Sequence, residues 1–459
     1  MKALIIAAGN GTRMQPVIRG RHKSLMPLLG LKIIERVILG AKEAGICEFV
    51  IVTGYEGNEI QEFLGKGDRY GVSITFVQNN DWEKANGISA LLARKYFSEN
   101  FVLLMSDHIF DPATLVRIQR IQLKSTECVL AVDKNLDSVL DVEDTTKAKI
   151  SKGKVIDINK SLEDYNAYDT GMFVCSPYIF EVLKNTTARG KNSLTDGMRV
   201  LASEQKLRTF DIKGRLWADC DTYKDIKFAQ KKLLKSLTKH EDGIVSKKFN
   251  RKISAFITKF LVKTPITPNL ISLIIPLFAP LAFVMLSQGV YPWIFIGGLL
   301  VQFLSIIDGN DGEVARLKFM SSKWGEWLDP IMDRYVDSLI IAGLSWGYWR
   351  ATGNEFIIPL AIVIMFLLIL DDYMGNKFYA LFGKKLRPQG LKFKRDSRLL
   401  VFALGAVTNN ILFALLLVAG LTQYKIAMKL ISGKILLNQE IKIQPHLYRS
   451  KSKTTGNIS

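Results

Sequence analysis

The sequence runs to 459 residues, with 62 lysines and arginines against 43 acidic residues and a formal net charge of +19. That length accommodates two or three domains. The excess charge is not read as a nucleic-acid surface, because the basic residues cluster beside apolar segments and fit cytoplasmic loops of a membrane protein; the four scattered cysteines (Cys47, Cys128, Cys175, Cys220) lack metal-ligand or redox spacing and read as ordinary thiols of a reducing compartment.

Up to about residue 240 the chain is mixed in character. Residues 2–8 predict a buried strand that ends in the loop Gly9-Asn10-Gly11-Thr12-Arg13-Met14. Its apolar part is too short for a secretory signal, so none is expected. Further strands are predicted at 49–53, 73–77, 101–105 and 128–132, with helices such as 33–44 and 87–96 between them. Strands alternating with helices predict a doubly wound α/β domain, where ligands bind beyond the carboxyl ends of the strands.

Three features fall at those ends. Gly9 and Gly11 let backbone N–H groups approach phosphates, and Arg13 and Lys23 can neutralise their charge. Asp107 directly follows a predicted strand and can hold Mg²⁺ on a triphosphate. Asp219 and Asp221 form a second acidic site late in the domain.

This set resembles the sugar-phosphate nucleotidyltransferases, over about residues 1–232. Their hallmarks are a Leu-Ala-Ala-Gly-x-Gly-x-Arg start and a later Pro-Lys-x-Leu element. Here Ile6 replaces the leucine and His22 the proline, while Lys23 is kept. The resemblance implies that a sugar phosphate attacks the α-phosphate of an NTP and releases pyrophosphate. Arg13 and Lys23 would stabilise the transition state, and Asp107 with Asp219 or Asp221 would hold the metal. Asn86 and Gly87 are expected near the nucleotide, Asp169 and Thr170 at the sugar-like substrate. A turn or a helix cap is the alternative for both elements.

Residues 233–263 read as a basic connector. Within it, residues 247–261 mix lysines with apolar residues at helical spacing and predict an amphipathic helix on an anionic membrane surface. Residues 264–431 are dominated by apolar runs, with spans predicted at 269–287, 291–307, 327–349 and 355–371. The stretch 397–430 is one span, or two divided at Thr408-Asn409-Asn410. Two would give an all-α membrane domain of about six transmembrane helices, multi-pass in the cell membrane, with the catalytic domain and both termini cytoplasmic. Residues 432–459 read as a basic C-terminal tail.

Carboxylates stand at the ends of two of these apolar runs. Asp308 and Asp311 are three apart, Asp329 and Asp333 four apart, so each pair shares a helix face. Ionisable groups at membrane depth are costly and mark function. Four such oxygen donors suit hard divalent cations. With Gly312, Ala315, Arg316 and Gly325 they complete every position of Asp-x-x-Asp-Gly-x-x-Ala-Arg, eight residues, Gly, three, Asp, three, Asp. The stretch resembles the signature of the CDP-alcohol phosphotransferases, over about residues 245–430. The resemblance implies two metal ions on Asp308, Asp311 and Asp329, with Asp333 as the base for the acceptor hydroxyl and a further metal contact. Gly312, Gly325 and Ala315 would leave room for the cytidine, and Arg316 would meet phosphate or form a structural pair. Arg395 and Arg398 are weaker candidates for the acceptor phosphate, and Asp337 is expected to be an ion-pair or packing residue.

The order of the halves resembles bifunctional enzymes that make CDP-inositol and then consume it. This implies CTP and inositol 1-phosphate as substrates, CDP-inositol as intermediate, and CMP with a phosphorylated di-inositol phosphate, precursor of a compatible solute, as products. It also implies Mg²⁺, with Mn²⁺ as an alternative, at both sites, a lipid bilayer around the second half, and a homodimer through the membrane domain. Two other readings stand beside it. The membrane half could make a phospholipid from CDP-diacylglycerol, or it could be a non-catalytic anchor or transporter.

Overall fold

The computed structural model describes residues 1–14, 20–237, 250–386 and 393–443. They divide into two compact units, the first comprising Met1–Leu237.

The first unit is built on a nine-stranded sheet. Its strands are β1 (Ala3–Ala7), β2 (Glu48–Thr53), β3 (Ser73–Gln78) and β4 (Phe101–Met105), then, beyond a short strand β5 (His108–Phe110) outside the sheet, β6 (Cys128–Asp133), β7 (Lys147–Ser151), β8 (Lys154–Asn159), β9 (Ala167–Cys175) and β10 (Leu207–Asp211). A second short strand, β11 (Trp217–Asp219), pairs with β5. The order across the sheet is β3-β2-β1-β4-β9-β6-β10-β8-β7. β1 is parallel to both neighbours, with Ala3 opposite Phe49 on one side and Val102 on the other. The first four strands thus form the doubly wound order that the sequence predicts. All five of its predicted strands form, within a residue or two.

The remaining strands make the sheet mixed. β9 runs antiparallel to β4 and to β6. β7 and β8 form a hairpin that the sequence did not announce, since lysines alternate with short apolar residues over only a few positions. Its turn is Lys152-Gly153, both at positive φ (47° and 76°), as a tight two-residue hairpin requires.

Alternation along β1 divides the core. Leu4 and Ile6 face α2 (Asn86–Leu92), α3 (Tyr178–Thr187) and α4 (Leu194–Ser203). Ala3, Ile5 and Ala7 face Ile34, Val37 and Ile38 of α1 (Ile33–Glu43). Burying both faces is what a parallel sheet needs. A helix at the end of the unit, α5 (Tyr223–Ser236), starts at a capping box between Thr222 and Asp225.

Beyond β1, His22, Ser24 and Ser106 form a buried polar relay. His22 Nδ1 accepts from Ser24 N at 3.2 Å, and Ser24 Oγ donates to Ser106 Oγ at 2.8 Å. The turn bearing Lys23 is thereby fastened to the end of β4, next to Asp107.

The second unit is helical: α6 (Arg251–Leu261), α7 (Pro268–Leu286, with a 3₁₀ turn at Ile275–Phe278), α8 (Tyr291–Ile307), α9 (Asn310–Lys318), α10 (Lys323–Thr352), α11 (Ile357–Phe382), α12 (Arg395–Val407) and α13 (Ile411–Ile443). Among the described residues four segments are long and apolar enough to cross a membrane: Pro268–Leu286, Tyr291–Lys318, Ile357–Phe382 and Ile411–Leu437. The stretch 397–430 holds two helices, broken where Asn409 turns to φ 56° and Asn410 N bonds to Gly405 O at 2.8 Å. α13 continues past residue 432, where a tail was expected, to Ile443. The rest of that tail (444–459) and part of the basic connector (238–249) lie outside the described residues.

The amphipathic helix expected near 247–261 is seen as α6, and its two faces are divided. Ile253, Phe256 and Phe260 are exposed. On the opposite face Arg251, Ser254 and Thr258 all bond to the fully buried Glu313 of α9, at 2.5, 2.7 and 2.6 Å.

Small residues let these helices approach. A Cβ at Gly347 would stand 2.0 Å from Leu286 O, and one at Gly405 would stand 2.4 Å from Ala414 Cβ. Gly347→Val should therefore force α7 from α10 and cost about 1–3 kcal/mol or more. It should appear as a lower thermal midpoint in detergent, and an unchanged midpoint would contradict the packing.

Burial, with the Lys23 charge beside it, pushes His22 down from 6.5 to about 4. The unfolded chain then takes up a proton near pH 6.5 that the folded chain refuses until about pH 4. Stability is full above the upper value and falls as pH drops towards the lower, by about 3 kcal/mol at most. His22→Gln should flatten that part of the slope when thermal midpoints are compared between about pH 7.5 and about pH 5.

Candidate active sites

In the first unit the Gly loop and the Lys23 turn meet beyond the carboxyl end of β1. Gly11 has φ 58°, and a Cβ there would press within 3.1 Å of the Lys23 side chain. Lys23 Nζ pairs with Asp107 and, at 2.6 Å, with Asp221 Oδ1. Arg13 pairs with Asp221 through its other oxygen and with Asp144. The two cations predicted from sequence thus share Asp221.

Antiparallel pairing of β11 with β5 sets Asp219 opposite His108. Ligand atoms of Asp107, His108 and Asp219 lie within 4.8 Å of one another. Asp219 Oδ1 is buried with no hydrogen-bond partner. Two carboxylates converging beside an imidazole, with an orphaned oxygen among them, form a donor set that fits a divalent cation. Asp221, by contrast, spends both oxygens on Lys23 and Arg13.

The charges reshape one another. Burial opposes the Lys23 ammonium, but Asp107, Asp221 and Asp219 outweigh it and raise its pKa. Burial works against the Asp107 carboxylate, yet Lys23 and His108 hold it below the ordinary range. For Asp219 burial prevails and its pKa is raised. His108, against its burial, is lifted to about 10 by Asp219 and Asp107.

These groups line a cleft of about 210 Å³ together with Asn86, Asp169, Gly171, Lys160 and Asp144. Asn86 Oδ1 accepts from Leu194 N at 2.9 Å, and Gly87 N donates to Asn192 O at 3.0 Å, so this element also braces the start of α4. Asp169 accepts from Gly171 N at 2.7 Å, and burial raises it to about 6. Thr170 is buried, its hydroxyl donating to Ala131 O at 2.8 Å. Sequence reasoning missed Asp144, Lys160 and His108. His108 adjoins Asp107 and was within reach; Asp144 sits in an irregular loop and Lys160 just after β8, where no motif marked them.

In the second unit Asp308, Asp311, Asp329 and Asp333 line one small cavity with Ser272. Ser272 Oγ donates to Asp311 Oδ2 at 2.5 Å. Arg395 Nη1 stands 2.6 Å from Asp308 and 2.7 Å from Asp333, and its Nε donates to Asp337 at 3.1 Å. Asp337 is buried and also paired with Arg398 at 2.5 Å and Arg334 at 3.2 Å, the ion-pair role expected for it. Arg395 and Arg398, expected at an acceptor phosphate, here hold carboxylates. Four carboxylates facing one cavity, with oxygen the only donor they offer, fit hard divalent cations.

A neighbouring pocket of about 270 Å³ is lined by Asp311, Gly312, Ala315, Arg316, Gly325 and Asp329 together with Asn269. A Cβ at Gly325 would stand 3.3 Å from Asn269 Oδ1, and one at Gly312 would stand 3.2 Å from Arg316 Nη1. The small residues of the signature thus keep space open beside the carboxylates.

The two halves match two family models: nucleotidyl transferase over residues 2–236 and CDP-alcohol phosphatidyltransferase over residues 265–428. The chain is 33% identical over 408 residues to the bifunctional IPC transferase and DIPP synthase of Rubrobacter xylanophilus, covering 88% of this chain and 90% of that protein. It is 32% identical over 444 residues to the protein of the same name from Thermococcus kodakarensis, covering 94% of this chain and 96% of the relative. Among solved structures, the inositol-1-phosphate CTP transferase from T. maritima aligns at 25% identity and a TM-score of 0.45, over 50% of this chain and 95% of that one. With both family models on one chain, and relatives of 32–33% identity aligned over about nine-tenths of both lengths, the chain belongs to the family of bifunctional IPC transferases and DIPP synthases.

Proposed function

We propose that the first half makes CDP-inositol from CTP and inositol 1-phosphate, and that the second half transfers its phosphoinositol unit to another inositol 1-phosphate. The observation that carries this reading is the convergence of each half's signature on its own cleft, within a chain that matches its bifunctional relatives from end to end.

In the first reaction a phosphate oxygen of inositol 1-phosphate attacks the α-phosphorus of CTP. The bond to the β-phosphate breaks and pyrophosphate leaves. Lys23 and Arg13, held by Asp221, neutralise charge on the phosphates as the transition state forms. Lys160, on the cleft wall and paired with Asp144 at 2.8 Å, is suited to the phosphate of the incoming inositol. In the second reaction a hydroxyl of the acceptor attacks the phosphorus that bears inositol, the bond to CMP breaks, and Asp333 takes the hydroxyl proton. Cations bound at Asp107 with Asp219, and at Asp308, Asp311 and Asp329, would supply charge neutralisation of the phosphates.

For topology we favour six spans, the four above plus α10 and α12, with both termini cytoplasmic and the protein in the cell membrane. Six spans would put the basic C-terminal tail on the same side as the basic loops that hold Arg316, Lys318, Lys323 and 384–398, in keeping with the positive-inside pattern. Exposed apolar residues of α7 and α11, among them Leu277, Ile362 and Phe366, offer surface for lipid or for a homodimer through this half.

Solubilised protein given CTP, inositol 1-phosphate and Mg²⁺ without lipid should yield pyrophosphate, CMP and a phosphorylated di-inositol phosphate. CDP-inositol alone would send the second half to a lipid donor, and no pyrophosphate would overturn the first. Asp311→Ala should lower CMP release by roughly 100- to 1,000-fold and spare pyrophosphate release, and Lys23→Ala should do the reverse when CDP-inositol is supplied. Loss of both half-reactions in either folded variant would refute the division of labour. Lys160→Ala should raise the KM for inositol 1-phosphate more than that for CTP.

A further inference from the structure

The carboxylates of the first cleft have a nitrogen neighbour whose orientation is fixed. His108 Nδ1 lies 2.8 Å from Thr170 O. A carbonyl oxygen only accepts, so Nδ1 carries the hydrogen and the other ring nitrogen is left for a different partner. That nitrogen, Nε2, stands 3.6 Å from Asp219 Oδ2 and 3.8 Å from Asp107 Oδ1. Both distances are too long for good hydrogen bonds. They suit atoms that share one ion, since two donors at about 2.1 Å from a cation lie about 3.0–4.2 Å apart.

The surroundings keep the ring there. Thr170, which supplies the carbonyl, is itself pinned to Ala131 O. Gly171 has φ 71°, and a Cβ on it would sit 2.2 Å from His108 Nδ1, so the absence of a side chain there clears the place of the imidazole. Asp107 turns its second oxygen to Lys23, which leaves Oδ1 facing His108. An imidazole that donates one N–H to a backbone carbonyl and points its other nitrogen among carboxylates has the outer-partner arrangement of metal-bound histidines.

We propose that His108 Nε2 is a third ligand, with Asp107 and Asp219, of the cation site in the first half, and that this site prefers a first-row transition ion such as Mn²⁺ or Co²⁺ to Mg²⁺. A nitrogen ligand strengthens binding along the first-row series, least at Mn²⁺ and more at Co²⁺, whereas Mg²⁺ takes oxygen. The second half offers carboxylate oxygen alone, so one chain carries two cation sites of different preference. The inference rests on the nucleotidyltransferase reading of the first half and deepens it.

The test is spectroscopic. Mn²⁺ is added to full-length Asp311→Ala protein in detergent, which weakens the membrane site, and electron spin echo modulation is recorded. The expected result is ¹⁴N modulation from a bound imidazole. His108→Asn keeps a donor for Thr170 O but removes Nε2; it should abolish the modulation and weaken Mn²⁺ binding by about tenfold or more. Bound Mn²⁺ without ¹⁴N modulation would overturn the proposal, and so would modulation that persists in His108→Asn. Tighter binding of Mg²⁺ than of Mn²⁺ would overturn the stated preference. Pyrophosphate release from CTP and inositol 1-phosphate, measured separately on the unsubstituted protein, distinguishes a failed ligand assignment from a failed reading of the reaction.

Discussion

Carboxylates crowded into one cleft repel each other, and in both halves of this chain a basic side chain stands between them. Lys23 bridges Asp107 and Asp221. Arg395 bridges Asp308, Asp333 and Asp337. Each bridge is made by residues far apart in sequence, so each holds only in the folded chain. The geometry around them follows: the His22–Ser24–Ser106 relay fixes Lys23, and Asp337 with Arg398 fixes Arg395. Breaking one member of such a buried set strands the others without partners, which costs far more than the net worth of any single pair.

On the proposed function, phosphates would compete with carboxylates for these bases. Arg13 and Lys23 sit on Asp144, Asp107 and Asp221, so admitting a triphosphate would mean sharing these bases between carboxylates and phosphates. The bases would stay compensated by one anion or the other, and the added negative charge of the triphosphate would need a cation in the cleft. The same logic explains why Arg395, read from sequence as a phosphate contact, is found among carboxylates.

Local signals carried most of the fold. β1 to β4 and β6 were legible because each is a short apolar run bounded by turn residues, and the membrane helices because they are long and apolar. β7 and β8 were not, because polar residues interrupt both and the apolar ones between them are too few to make a run. Each aspartate pair was legible from its spacing, since helical periodicity turns spacing into a shared face, and the full four-aspartate signature from its resemblance to a family pattern. What escaped was contact across the chain. Nothing near Asp144 says that it will meet Arg13, and the pairing of His108 with Asp219 depends on a two-stranded ribbon whose members are about a hundred residues apart. Glu313 escaped for another reason: it occupies a position that the signature leaves open.

That glutamate has a mechanical consequence. It sits on the short helix that also bears Asp311, and three side chains of α6 converge on its carboxylate. The helix whose aromatic face is exposed is therefore latched to the helix that carries Asp311 into the second cavity. Because the latch is buried, dissolved ions screen it far less than they screen exposed charge pairs. A tilt or slide of α6 would therefore drag Asp311 with it, so the position of this outer helix and the shape of the second cavity are mechanically one variable.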